Sequence, residues 1–149
     1  MTLLVPYDGS PLSQSALSRA QEFAAYRDED VIVLTVVPED EAFAVERGWV
    51  DAGEEYEPTA ICDRFEDEVA DLAPDAAFRC EHPTPSDSMT ATVIDDITRT
   101  IREVAHDVGA SIVFIGSENA GRVSTPITSV GSPISKDAEY DVHIVRHAE

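Results

Sequence analysis

Apolar and polar positions along this chain follow two rhythms that alternate from end to end. Thr2–Tyr7 and Ser111–Ile115 are short apolar strands, Val31–Val37 is a continuous β-branched run as expected of a strand buried on both faces, and Val142–Arg146 reads as a final strand. Between them, apolar residues return every three or four positions. Leu12, Ala16, Leu17, Ala20, Phe23 and Ala24 form a first helical stripe, opened by Ser10 as N-cap and Pro11 in the first turn. Ile61, Phe65, Val69 and Leu72 form a second, and Ile94, Ile97, Ile101, Val104 and Val108 a third, which Gly109 terminates. The pattern is thinnest at a strand over Ala77–Cys80. Residues 82–88, with Pro83 and Pro85, read as a connection, and 127–140 hold at most a short helix. Residues 39–58 are acidic and weakly patterned, predicting a long loop that is either a solvated excursion or a lid. The order β-α-β-α-β-α-β-(α)-β predicts one α/β domain over residues 1–149: a single open, mostly parallel five-stranded sheet with helices on both faces and right-handed crossovers.

Charge narrows the choice of partners. Ten Lys and Arg against thirty Asp and Glu give a formal net charge of −20, and Lys136 is the only lysine. Neutralising a phosphate backbone takes clustered basic residues, so nucleic acid is not an expected partner. Evenly spread acids with almost no lysine predict a high-salt cytoplasm, where screening lengths contract to a few ångströms; an acidic protein of ordinary salt is the alternative. A hydrophobic content of 43% with clear periodicity argues against disorder. No apolar run approaches the roughly 20 residues of a membrane span, and no basic, apolar leader precedes the first strand, so a soluble, cytoplasmic protein without membrane contact is expected. Cys62 and Cys80 fall outside any CxxC or Cys/His spacing and predict two ordinary thiols, with neither a disulfide nor a metal site. His143 and His147 share a strand face but lack a third ligand in their spacing.

Candidate chemistry gathers at strand ends. The run Ile115-Gly116-Ser117, then Gly121, then Gly131-Ser132, suggests a phosphate cradle: glycine admits backbone N–H groups to anionic oxygens, and a serine opening a helix adds a hydroxyl at the positive end of the dipole. Far away in sequence, Pro6-Tyr7-Asp8 ends the first strand, where an acid meets the height of a ribose. Each feature also has a structural reading. The glycines serve equally as turn residues, Asp8 as a capping acid, and Ser132-Pro133 as a helix start. Phe43, Trp49 and Tyr56 either stack on a base or anchor their loop to the body of the protein.

Leu4-Val-Pro-Tyr-Asp-Gly-Ser10 before a helix, Val31–Val37 as second strand, and Ile115-Gly-Ser followed by Gly121 and Gly131-Ser132 together resemble a universal stress protein domain across nearly the whole chain. The resemblance implies a Rossmann-like fold of the adenine nucleotide alpha-hydrolase type. It also implies adenine-nucleotide binding, as ATP or an AMP-type ligand with Mg²⁺ as an accompanying cation. Asp8 would contact the ribose, Pro6 and Val36 would line the adenine pocket, and Gly116, Gly121, Gly131 and Ser132 would surround the phosphates. The family's nucleotide-binding pattern is G-x-x-G, then nine residues, then G-[S/T]. Residues 122–130 reproduce the second spacing, whereas Ser117-Glu-Asn-Ala120 places four residues where the pattern has two. One of them, Glu118, would repel phosphate unless a cation or Arg122 compensated. In the family the last strand often pairs across a homodimer, which implies an interface at Val142–Arg146.

Catalytic motifs are missing from the sequence: it has no GxSxG, no HExxH and no GxxxxGK[ST]. The expectation is a nucleotide-binding regulatory protein acting in stress response, not an enzyme, with any hydrolysis incidental. The alternative is a dimeric interaction module of the same fold that has lost the nucleotide and engages protein partners.

Overall fold

The computed structural model describes residues 2–83, 93–117 and 140–148. Its elements run in the order β1 (Thr2–Pro6), α1 (Pro11–Arg27), β2 (Asp30–Val36), α2 (Glu41–Glu46), α3 (Pro58–Leu72), β3 (Ala77–Glu81), α4 (Val93–Asp107), β4 (Ala110–Gly116) and β5 (Asp141–Val145). The strands form one sheet in the order β3-β2-β1-β4-β5, and every neighbouring pair is parallel. The sheet is therefore wholly, not mostly, parallel.

Two cores explain the continuous apolar runs. Side chains alternate across the sheet, so Leu3, Val5, Val33 and Phe114 join the core beneath α1 and α3, while Leu4, Leu34, Val113 and Ile115 join the one beneath α4. The α1 stripe seats Ala16, Leu17 and Ala20 in the first core; Ile101, Val104 and Ala105 of α4 fill the second. Helix ends follow the local signals. The Ser10 hydroxyl accepts the N–H of Ser13 at 3.2 Å, and Gly109 takes a left-handed φ of 64° just after α4.

Three expectations change. Residues 39–58 are not irregular throughout: Asp40 caps the two-turn α2, its carboxylate accepting the N–H of Phe43 at 3.0 Å. Leu72 and Ile94, assigned to helical stripes, are 45% and 40% exposed, Leu72 being the last residue of α3 and Ile94 the second of α4. Cys62 and Cys80 are joined in a disulfide, not left as thiols. The helix packs across the edge strand with the two Cα atoms 6.0 Å apart, within bridging distance, a proximity that no sequence spacing encodes. The short helix expected within 127–140 and most of the 82–88 connection lie outside the described residues.

Topology fixes where a ligand can sit. The chain steps from β1 to β2 to β3 in one direction, then returns past β1 to place β4 on its other side. Segments leaving β1 and β4 consequently diverge, and the crevice beyond their C-terminal ends is the switch point of the sheet.

Candidate functional site

A cavity of about 560 Å³ occupies this crevice. Pro6, Tyr7 and Asp8 reach it from β1, Leu34 and Val36 from β2, and Ile115 and Gly116 from β4. One wall is apolar, built by Ile94, Ile97 and Ile101 of α4; the opposite wall carries Phe43, Glu46, Arg47 and Trp49. Four of the residues singled out from sequence, Pro6, Asp8, Val36 and Gly116, thus line one cavity. Gly121, Gly131 and Ser132, with Glu118 and Arg122, lie outside the described residues.

Asp8 is the most heavily engaged group at the rim. Its Oδ1 accepts the N–H of Ser10 at 2.9 Å, shaping the turn into α1, while its Oδ2 accepts from Arg47 Nη1 at 3.0 Å. The indole N–H of Trp49 donates to the Asp8 carbonyl at 3.2 Å. Asp8 therefore supports the turn without being the N-cap, a place that Ser10 holds. The ion pair is partly shielded, Arg47 and Asp8 side chains being 27% and 21% exposed.

Residues 39–58 form a strap over this side. Arg64 Nη1 donates to the Trp49 carbonyl at 2.9 Å, and the Tyr56 hydroxyl to the Pro38 carbonyl at 2.6 Å. Tyr56 is an anchor, Trp49 both anchors the strap and lines the cavity, and Phe43 faces the cavity beside it. Tyr7 donates to Glu68 Oε1 at 3.0 Å. Burial first, then the hydrogen bond and negative charge of Glu68, pushes its phenol up to about 12.

Glycine at 116 has a packing reason. A Cβ there would stand 2.8 Å from the Cβ of Leu12, so the end of β4 approaches α1 too closely for any other residue. Gly9 adds φ +81° and a Cβ position 2.7 Å from the Phe65 ring. Arg47 and the α4 wall escaped the sequence reading. The signal for Arg47 was Asp40, a capping residue ahead of Phe43 and Arg47 four apart on one helical face. His143 stacks on Phe114 with centroids 5.0 Å apart, and β5 ends at Val145, short of His147.

A model of the Universal stress protein family matches residues 1–146. The chain belongs to that family. Solved universal stress proteins share its fold. UspA from Lactobacillus plantarum aligns with a TM-score of 0.59 at 16% identity, covering 98% of this chain and 97% of the other. A family member from Burkholderia pseudomallei gives 0.56 at 21% identity over 98% and 96% of the two chains. A universal stress protein solved in complex with cAMP gives 0.52 at 23% identity, covering 100% and 98%. No curated protein matches the chain. Among the described residues, no helix is long and apolar enough to cross a membrane.

Proposed function

We propose that this universal stress protein domain binds an adenine nucleotide, ATP or an AMP-type ligand, in the crevice between β1 and β4, and that it regulates stress responses without catalysis. The observation carrying this reading is the convergence of Pro6, Asp8, Val36 and Gly116 on one cavity, whose volume lies in the roughly 300–1,000 Å³ range of small-molecule sites. Ile97, Ile101 and Val36 offer an apolar slot for the base, and Asp8 an acceptor for ribose hydroxyls. Arg47 supplies a cation beside them, and Mg²⁺ would accompany a triphosphate. The cAMP-bound relative supports the same ligand class. The working unit is a homodimer pairing along the Val142–Arg146 edge, in a high-salt cytoplasm. β5 ends the sheet and leaves one edge for a second copy, a state that light scattering measures directly.

A second reading, an interaction module without nucleotide, rests on the engagement of both Asp8 carboxylate oxygens within the protein. Calorimetric titration with Mg²⁺ and ATP, then adenosine, in about 3 M KCl separates the two. Asp8→Ala should weaken both ligands alike, by roughly 10- to 100-fold, because the ribose is common to them. A wild-type protein that takes up no nucleotide at millimolar concentration transfers the function to the second reading.

A further inference from the structure

A separate cluster stands at the β3 edge of the sheet. Cys62 lies in the second turn of α3, Cys80 in β3, and His82 directly after that strand. The two Sγ atoms and an imidazole nitrogen all lie within 4.8 Å of one another. His82 Nε2 is 3.7 Å from Cys62 Sγ, and Nδ1 is 3.0 Å from the Val37 carbonyl oxygen. A carbonyl can only accept, so Nδ1 carries a proton and Nε2 is the nitrogen turned toward the sulfurs. A ring held from behind by a backbone carbonyl, with its other nitrogen free to donate electrons, is how a metal-ligating histidine is oriented.

We propose that, when the disulfide is reduced, Cys62, Cys80 and His82 bind Zn²⁺, with water as fourth ligand. Tetrahedral zinc with Zn–S of about 2.3 Å and Zn–N of about 2.0–2.1 Å requires S···N of roughly 3.6 Å and S···S of roughly 3.8 Å. The observed Sγ···Nε2 separation of 3.7 Å already meets the first requirement. Side-chain rotation across a Cα separation of 6.0 Å meets the second. Two thiolates and an imidazole select zinc over the harder cations that a surface of carboxylates attracts. The exposed His82 leaves solvent access for the water.

Metal binding and the disulfide exclude each other, so the site is gated by redox state. A cellular dithiol supplies two electrons and two protons: its own disulfide forms, the Cys62–Cys80 bond breaks, and two thiols result. Zn²⁺ then displaces both thiol protons as two Zn–S bonds form. A peroxide reverses this, taking two electrons from the thiolates and, with two protons, becoming water, while the disulfide closes and zinc leaves.

The full-length protein, reduced with a phosphine and titrated with Co²⁺ as a spectroscopic stand-in, tests the site. One equivalent should bind with a sulfur-to-cobalt charge-transfer band and tetrahedral d–d bands, and Zn²⁺ should displace it. The disulfide form should give neither signal. His82→Ala should lower affinity roughly tenfold or more, and Cys80→Ser should remove the charge-transfer band. Comparing the reduced and oxidised wild type needs no variant, so a misfolded substitution does not blunt the test. Uptake without a sulfur band, equal uptake by both redox forms, no uptake on reduction, or unaltered affinity in a folded His82→Ala protein each overturns the proposal.

Discussion

The two faces of the sheet are filled by different chemistry. Beneath α1 and α3, aromatic rings run in a chain: Tyr7 to Phe65 at 5.7 Å, Phe65 to Trp49 at 5.6 Å, and Trp49 to Phe43 at 5.6 Å, each pair near edge-to-face. Arg47 closes the chain 4.9 Å over the Phe43 ring. Beneath α4 the buried core is aliphatic, with Leu4, Leu34, Val36, Ile101 and Ile115 at its centre. Ring geometry and hydrogen bonds fix orientation, whereas aliphatic contact fixes only proximity. The cavity inherits this asymmetry: Asp8 and Arg47 stand on the aromatic side, and Ile94, Ile97 and Ile101 on the aliphatic one.

Phe65 is where the contrast breaks with the largest effect. It is 1% exposed and touches both Tyr7 and Trp49, so Phe65→Ala should cost about 3–5 kcal/mol and loosen the strap. Ile101→Ala on the other face should cost about 2–5 kcal/mol yet leave the strap in place. Denaturant unfolding followed through Trp49, the only tryptophan, distinguishes them. The native emission should shift to the red in the first variant and stay unchanged in the second.

Alkaline titration probes the same face more gently. Burial, ahead of the Glu68 interactions, pushes Tyr7 up to about 12, and burial ahead of the charges of Asp40 and Glu39 does the same for Tyr56. The folded protein favours the neutral phenols, so their stabilisation is complete below about pH 10 and is lost as pH climbs through about 12. Denaturation midpoints should fall across that window, and the fall should flatten in the Tyr7→Phe, Tyr56→Phe double variant.

The smallest effect on stability sharpens the comparison at the rim. Arg47→Ala removes a partly exposed ion pair worth about 0–1 kcal/mol and frees Asp8 Oδ2. Adenosine affinity should rise by up to about fivefold in the calorimeter, the equivalent of that pair. Unchanged affinity would separate Asp8 from the ligand.

Much of this architecture was legible in the sequence. Unbroken β-branched runs such as Val31–Val37 mark strands with a core on each side, and Ser10-Pro11 marks the start of α1 to the residue. Helix α2 escaped because six residues hold too little of a stripe to register, and its place is set by Trp49 and Arg47 through tertiary contacts. The disulfide escaped because it depends on how α3 crosses β3, between cysteines 18 positions apart. Asp8 and Gly116 were legible as groups at strand ends that converge on a switch point, whereas Pro6 and Val36 entered only through the family resemblance; all four line the cavity. Their individual tasks were not legible: Gly116 is demanded by Leu12, and Asp8 is bonded to the turn that follows it.

The central position of β1 also has a kinetic meaning. One of its edges pairs with β2, so that half of the crevice floor is made within residues 2–36. The other edge waits for β4, across a separation that the hydrogen bond from the Ser111 hydroxyl to the Thr2 carbonyl measures as 109 positions. Closing so long a loop is entropically slow, and until it closes β1 presents an unpaired edge on which a nascent chain can mispair. The crevice cannot exist until β4 has docked on β1, so a ligand of the kind proposed would bind only chains in which that long-range pairing is made, drawing them by mass action away from the incomplete ones.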